Sequence, residues 1–518
     1  MRQFIKHHEK DICGVLSGFD RIRFRGTIRW LGSISGIMSF LHGLNIRLTE
    51  FKAWAIGLTD QVVEASERLA EVQGRPMEFL QSSAVRKETR ALEIAKADEI
   101  TEGLICVFKC VEPCYTFKVG PNAHLKQLEM RQLWAKCSHY YFYAFHPDFG
   151  LMHFRLQSWL PFTIHMCING REWLARQLIQ SGVDFEQRDN CFVKVADLQV
   201  ADRLLERQLK TNWTALLDGL RKTYHLAHPK MFVTPPLDYY WSADETEWAT
   251  DVLFRSPEAL ARIYPGLVRH AVHSFGSSDV LRFLGRHPKV TVYRKGEIQT
   301  KTTKRPEGIC VKHSVNKNSI KMYDKQESVL RIETTINNPR DMKVFRPKEG
   351  DAHGCKSWRG LRKGVSDLHR RAKISQKANE RYLESLATVK TDQPLEKIVQ
   401  NLCQPAQWQG IRVRALQPLS ANDSRLLAAI NRGEFQINGF RNRDLRALLF
   451  GDADVTPEES KRQAAKVTRL IRILRGHNLI QKITKTNRYM LTADGRTQVN
   501  AILAAQQATP EQLARIAA

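Results

Sequence analysis

The segment KMYDKQESVLRIETT, residues 321–335, packs a tyrosine, an aspartate, two lysines, an arginine and two glutamates into two short strand-like runs. Strand alternation sets Met322 on the face opposite Tyr323 and carries Asp324 and Lys325 toward a turn at 326–328. The return run, 329–335, then brings Glu333 across from the strand that holds the tyrosine. Neighbouring runs, VTVYRK, EIQTKTTK, GICVKHSV and VLRIETTI, extend the pattern. They predict a strand-rich basic domain with a helical tail over 289–390. Its later part, 347–377, is basic, glycine-punctuated and then helical, and Arg359, Arg362, Arg370 and Arg371 are its candidate phosphate contacts.

Charge narrows the partner class. The 518 residues carry 80 Lys+Arg against 54 Asp+Glu, a formal net charge of +26. Such an excess repels itself in the compact state and is offset by an acidic partner, most simply DNA or structured RNA. No stretch resembles a membrane span, and the first residues, MRQFIKHH, lack the apolar core of a signal peptide, so the expected location is the cytoplasm and no membrane partner is expected. The 10 cysteines are then expected to be reduced thiols. Cys106, Cys110 and Cys114, with Cys137 and His139 further on, have three-residue rather than two-residue gaps. The run GLICVFKC therefore reads as a buried strand in preference to a zinc knuckle, and the identity of any metal stays open.

The pattern along the chain predicts an α+β multidomain protein. Residues 1–195 read as a mixed α/β domain. Residues 21–28 alternate, 59–73 form an amphipathic helix with Val62, Leu69 and Val72 on its apolar side, and strand-like runs follow at 104–110, 115–119 and 150–159. NGREWLARQLIQSG reads as a helix closed by Gly182. Residues 196–288 read as a helical middle: 198–226 has helical spacing, and in 234–254 a proline break precedes a Ser242/Glu245 capping box. Residues 391–419 read as a linker.

The last region, 420–518, has the clearest order of elements. Two helices, NDSRLLAAINRGEF and INGFRNRDLRALLFG, precede TPEESKRQAAKVTRLIRILRGHNLI, where Thr456 caps and Pro457 takes the first helical position. Val467, Leu470, Ile471 and Leu474 share one face of that helix, with Lys461, Arg462, Lys466, Arg469 and Arg472 largely off it. LIQKITK and RYMLT then form a hairpin carrying Lys485 and Arg488. Three helices and a basic hairpin resemble a winged helix-turn-helix domain. The resemblance implies that the third helix enters a major groove and the hairpin reaches the backbone.

Three constellations carry possible chemistry. Asp20, beside Arg21, Arg23 and Arg25, and Glu112, after a later strand, resemble the carboxylates with which RNase H-like nucleases and transposases hold two metal ions; the resemblance implies Mg²⁺ or Mn²⁺. An ion pair between Asp20 and its arginines explains the same residues. Tyr323, Asp324 and Glu333, with Lys325 and His313 nearby, offer a hydroxyl nucleophile and its proton acceptors. YDK followed by LRIE resembles parts of rolling-circle replication initiators, though no paired-histidine metal motif accompanies it. His146, His153, Arg155, Gln157, Arg171, Asp189 and Asn190 suit either base contacts or a buried polar network. The whole chain also resembles a group of bacterial proteins that open with VLSGFDR and FRGT and end in a winged helix, which implies shared architecture without an activity. The expected function is nucleic-acid binding with strand cleavage, transfer or replication initiation in a mobile-element setting. A DNA-binding regulator without catalysis, and a protein acting with a structured RNA, are the alternatives.

Overall fold

A computed structural model describes residues 1–81, 85–122, 124, 126–285, 298–305, 308–348, 351, 354–387, 395–435, 439–451, 456–483 and 486–509. The fold is α+β, and an eleven-stranded sheet organises it. Its strands are β1 (Ile12–Ile28), β2 (Met77–Leu80), β3 (Gly103–Asn122), β4 (Gln127–His146), β5 (Gly150–Gln157) and β6 (Ile164–Asn169). After a separate ribbon of β7 (Phe185–Arg188) and β8 (Cys191–Val195) come β9 (Tyr239–Phe254), β10 (Gln299–Arg305), β11 (Gly308–Val315), β12 (Asn318–Lys325) and β13 (Val329–Ile336). The order across the sheet is β10-β11-β12-β13-β9-β1-β6-β5-β4-β3-β2. Among the described strands of this sheet, only β2 and β3 pair in parallel.

The sheet corrects two expectations. Residues 234–254 are not a helix: β9 is a central strand between β1 and β13. Most residues of β9 are buried, on the core side and on the cleft side alike, so the two-residue alternation that marks a half-buried strand is lost. Ser242 and Glu245 cap nothing; Ser242 Oγ donates to the Arg25 carbonyl and Glu245 pairs with Arg23. The divisions expected at 195 and 288 also do not divide the sheet, because strands from all three regions hydrogen-bond into it. The helical stretch 198–226 is two helices, Leu198–Leu209 and Trp213–Tyr224, the second capped by Asn212. The run VTVYRK lies outside the described residues.

The two faces differ sharply. On one, a row of cross-strand partners, Val107–Phe142–Phe154–Met166–Phe24, is apolar. Helices cover it: Trp213 lies 5.4 Å from the Phe24 ring and Tyr224 5.7 Å from that of Phe142. Farther along the same face, the helix Leu368–Leu386 is locked to β9 and β13 by Asn379. That buried amide donates to the carbonyls of Trp248 and Ile332 and to Thr250 Oγ1, and accepts from Thr334 Oγ1. The opposite face carries Arg23, Cys167 and His153 in one row and Arg25, His165 and Arg155 in the next.

A separate apolar core gathers side chains from Ile398 to Ile502. It holds the helices Ala421–Ile430, Asn442–Phe450, Pro457–Gly476 and Ala493–Gln507 and the hairpin Ile480–Lys482/Tyr489–Leu491, with Phe440 bridged to Tyr489. The stretch expected as a linker contributes to it: Ile398, Leu402 and Leu416 are buried there. Polar residues around them mask three apolar anchors in the sequence. No helix among the described residues is long and apolar enough to cross a membrane.

Two buried histidines set an acid limit on this fold. Burial, helped at His228 by Arg221, pushes the imidazoles of His228 and His313 down to about 4 from 6.5. Between those values the unfolded chain binds protons that the folded one refuses, so stability rises with pH across the window. Thermal unfolding should therefore show a plateau above about pH 7 and a fall in melting temperature as pH drops from 6.5 toward 4. His313→Gln should make that fall shallower.

Candidate functional site

The polar face opens into a cleft of about 880 Å³ lined by residues of β1, β5, β6, β9, β12 and β13. Register explains how side chains so far apart in sequence meet there. Lys321 faces Glu333, Tyr323 faces Arg331, Arg331 faces Asp251, and Glu247 faces Arg21. At the centre, Tyr323 Oη donates to Glu333 Oε2 at 2.6 Å, and Lys321 Nζ donates to Glu333 Oε1 at 2.6 Å. Arg21 grips Glu247 through two hydrogen bonds of 3.1 and 3.0 Å. Beneath them, Arg331 bonds Asp20 at 2.8 Å and Asp251 at 2.6 and 2.8 Å, and Asn190 Nδ2 donates to Asp20 at 2.8 Å.

Burial and pairing compete at each of these groups. Burial works to raise the Glu333 carboxyl, but Lys321 and the Tyr323 hydroxyl overcome it and hold the group below its usual range. Lys321 would be lowered by burial, yet Glu333 and Glu247 raise it, so it stays charged. Burial, then the Glu333 charge, pushes the Tyr323 phenol well above its ordinary value. The resting cleft thus holds a phenol, a carboxylate and an ammonium in hydrogen-bonded series. Burial also raises Asp20 against the pull of Arg331, and raises Glu247 with help from Glu333. His153 and His165 are pushed down by burial and by Arg155, to about 4 and about 3, and are neutral near pH 7.

The structure brings together Tyr323, Glu333 and Asp20, with His153, Arg155 and Asn190, as lining of one cleft. It does not bring in the others. Asp324, adjacent to Tyr323 on an alternating strand, lies off the cleft, where burial and Glu327 raise it to about 6. His313 is likewise turned away, its Nε2 paired with Tyr382 Oη. Glu112 is not a partner of Asp20. Four strand spacings separate β1 from β3, about 19 Å, and Glu112 bonds Lys87, Tyr141 and Arg155 instead. Arg171 is a buried structural cation on Asp251, and Gln157 is held by the carbonyls of Tyr115 and Leu160. Sequence reasoning missed Lys321, Arg331, Glu247 and Asp251. The first two sit two residues from Tyr323 and Glu333 on the same strands, which is the period-2 signal for a shared face.

The central carboxylates of the cleft are already paired with donors of the protein. Both Glu333 oxygens and both Glu247 oxygens accept from cationic or hydroxyl donors, and Asp20 Oδ1 accepts from Arg331 and Asn190. Only Asp20 Oδ2 among these has no hydrogen-bond partner within the described residues. No step is assigned to Mg²⁺ or Mn²⁺.

On the C-terminal unit, Lys461, Arg462, Lys466, Arg469 and Arg472 are all exposed along the helix Pro457–Gly476, while Val467, Ile471 and Leu474 face its core. Lys485 lies outside the described residues. Arg488 is part-buried and donates to the Gly439 carbonyl. In the 347–377 segment the expected surface is largely spent internally. Arg362 and Arg370 pair with the buried Asp367. Arg371 is completely buried, with its guanidinium lowered to about 10 by that burial, so it is no surface contact. Its place on the helix Leu368–Leu386 turns it inward, which a run of consecutive basic residues does not reveal. Arg359 is half-buried on the strand Ser357–Gly360.

Removing the guanidinium of Arg331 should be the most damaging single change in this region, because it strands two buried carboxylates. Arg331→Met should cost about 3–5 kcal/mol, read as a lower urea midpoint, whereas Lys461→Met on the exposed helix should stay within about 0.5 kcal/mol.

No family model matches this chain, and no curated protein matches it. Among solved structures, the di-domain ARO/CYC BexL from the BE-7585A biosynthetic pathway is similar at 10% identity and a TM-score of 0.13, over 60% of this chain and 95% of that one. A likeness of that size carries no argument about fold or activity.

Proposed function

We propose that this is a DNA-binding protein whose C-terminal helices and hairpin dock on duplex and whose cleft acts on a strand phosphodiester. The observation that carries the binding half is the row of exposed cations on the helix Pro457–Gly476, beside a two-stranded hairpin. A helix presenting cations in this way suits the B-form major groove, whereas the deep, narrow major groove of A-form RNA does not admit it. The net charge of +26 supports the same reading through counterion release.

The chemical half rests on Tyr323 and Glu333. Their 2.6 Å hydrogen bond is the reach a general base needs toward a nucleophile. Because burial and Glu333 keep the phenol protonated at rest, the proton leaves as the oxygen attacks phosphorus. Glu333 receives it, the bond from phosphorus to the leaving sugar oxygen breaks with that oxygen taking a proton from water, and a phosphotyrosyl link remains. Lys321, on the other Glu333 oxygen, keeps that carboxylate ionised and ready to accept. The burial of Tyr323, only 9% exposed, favours a second reading in which the network is a structural pillar and the protein binds without cleaving.

Two measurements separate these. For binding, fluorescence anisotropy of a labelled duplex across a salt series should give a steep slope. Arg469→Ala with Arg472→Ala should weaken it roughly tenfold or more and flatten the slope by about 1–2; an unchanged slope removes the helix from the interface. For chemistry, single-stranded and supercoiled DNA, with and without Mg²⁺ or Mn²⁺, should yield a denaturation-resistant protein–DNA adduct that Tyr323→Phe abolishes. Glu333→Gln should slow adduct formation about 10²–10⁴-fold. Wild-type protein that binds DNA and forms no adduct leaves the second reading standing.

A further inference from the structure

Beyond the cleft, β3 and β4 bring Cys114, Cys137 and His139 to one face of the sheet. In register, Cys114 faces Ala135, Cys137 faces Glu112, and His139 faces Cys110. The two sulfurs and an imidazole nitrogen all lie within 4.8 Å of one another, with the Sγ atoms 2.8 Å apart. Cys114 is buried, Cys137 is half-buried and His139 is only 1% exposed.

The histidine points to a ligand. Its Nδ1 lies 3.1 Å from the Cys137 carbonyl oxygen, which can only accept, so Nδ1 carries the proton and Nε2 presents a lone pair. That Nε2 is buried and has no hydrogen-bond partner. A buried nitrogen left without a partner is costly. A ring fixed through Nδ1–H to a backbone carbonyl, with its other nitrogen unpartnered and the imidazole within 4.8 Å of two thiols, is the arrangement by which proteins orient a histidine toward a metal.

A disulfide accounts for less. Cys114 and Cys137 are diagonal rather than directly opposite on the antiparallel pair, and their sulfurs are in contact at 2.8 Å but unbonded. It also leaves the His139 nitrogen without a partner. Two thiolates and one imidazole suit a borderline-soft divalent ion.

We propose that Cys114, Cys137 and His139 bind one Zn²⁺, with water completing a tetrahedral set. Binding displaces the thiol protons to solvent and involves no redox change. Cys106 and Cys110 pack in an apolar cluster with Phe108 and Tyr141, and Cys110, although opposite His139 in the register, is not in the group whose ligand atoms lie within 4.8 Å of one another. Glu112, cross-strand from Cys137, bonds Arg155 of the cleft wall, so the metal braces the β3–β4 ribbon one step from the cleft.

The test uses the full-length protein purified under reducing conditions without chelator. Elemental analysis should find one zinc per chain, and replacement by Co²⁺ should give thiolate-to-metal charge-transfer bands with the visible bands of a tetrahedral site. His139→Gln should weaken Co²⁺ affinity at least tenfold and Cys137→Ser should remove a share of the charge-transfer intensity, with Cys106→Ser unchanged. Circular dichroism keeps the readout independent of misfolding, since His139→Gln leaves the strands' apolar face intact. Wild-type protein with reactive thiols but neither zinc nor cobalt bands overturns the proposal. So does an intact mass two protons light that maps to a Cys114–Cys137 disulfide, or a His139→Gln variant with undiminished cobalt affinity.

Discussion

Everything on the polar side of the sheet depends on one buried guanidinium. Arg331 leaves β13, fills both oxygens of Asp251 on β9, reaches Asp20 on β1 and donates to the Asn190 carbonyl beside β8. Arg171, itself fully buried, holds Asp251 from the adjoining helix at 3.0 Å. Two cations and two anions cancel, so the cluster tolerates burial only while every member is present. Burial works to raise Asp251, and the two arginines overcome it; at Asp20 burial wins. Such a cluster specifies register more than it adds stability. A one-residue slip of β13 puts Leu330 or Ile332 where Arg331 belongs and turns the guanidinium into the apolar face.

Register in turn creates the cleft. Once Arg331 is opposite Asp251, alternation places Glu333 two residues along on the same face, and β12 must bring Tyr323 and Lys321 beside it. The opening motif VLSGFDR serves the same geometry. A side chain at Gly18 would meet Leu205 at 2.6 Å, so glycine lets the helix Leu198–Leu209 lie against β1. Asp20 falls where the β1–β9 register shifts between Phe19 and Arg21, which gives it a place outside the ordinary alternation, under the cleft floor. In FRGT, the Trp241 ring occupies the space a side chain at Gly26 would need, at 2.5 Å. The motif is thus explained by packing and by one buried carboxylate.

Much of this was legible in the sequence where local pattern and final environment agree. The hairpin of β12 and β13 alternates because one of its faces is apolar, and the helix Pro457–Gly476 announces itself through Thr456, Pro457 and an apolar stripe. The unread parts share a cause. β9 buries most residues on its core side and on its cleft side alike, so it lacks alternation. β4 went unread, and its partner β3 was read in pieces, although the two pair over about twenty residues. Nothing local tells that Cys137 will meet Cys114, because the contact is made by the register of that long ribbon and not by spacing. Glu112 misled for the converse reason: strand order, which places β6, β5 and β4 between it and β1, is invisible to a linear reading.

The charge of the cleft constrains how the two halves of the proposed function divide the work. Carboxylates outnumber the lysine and arginine side chains in its lining, and half of them, Glu245, Glu247 and Glu333, are already committed to those cations. A surface so balanced exerts little long-range attraction on a phosphate backbone, since its field cancels within a few ångströms. The exposed row from Lys461 to Arg472 is balanced only weakly, by a 4.0 Å contact between Arg462 and Glu459. Affinity on this reading arises at the C-terminal helix, where released counterions supply it. On the same reading the cleft, with its neutral histidines and internally paired charges, would discriminate through shape and hydrogen bonding once a strand is held nearby. Under the proposed function, turnover at Tyr323 would inherit the salt dependence of docking, while the chemical step, set by the Tyr323–Glu333–Lys321 series, would stay insulated from it.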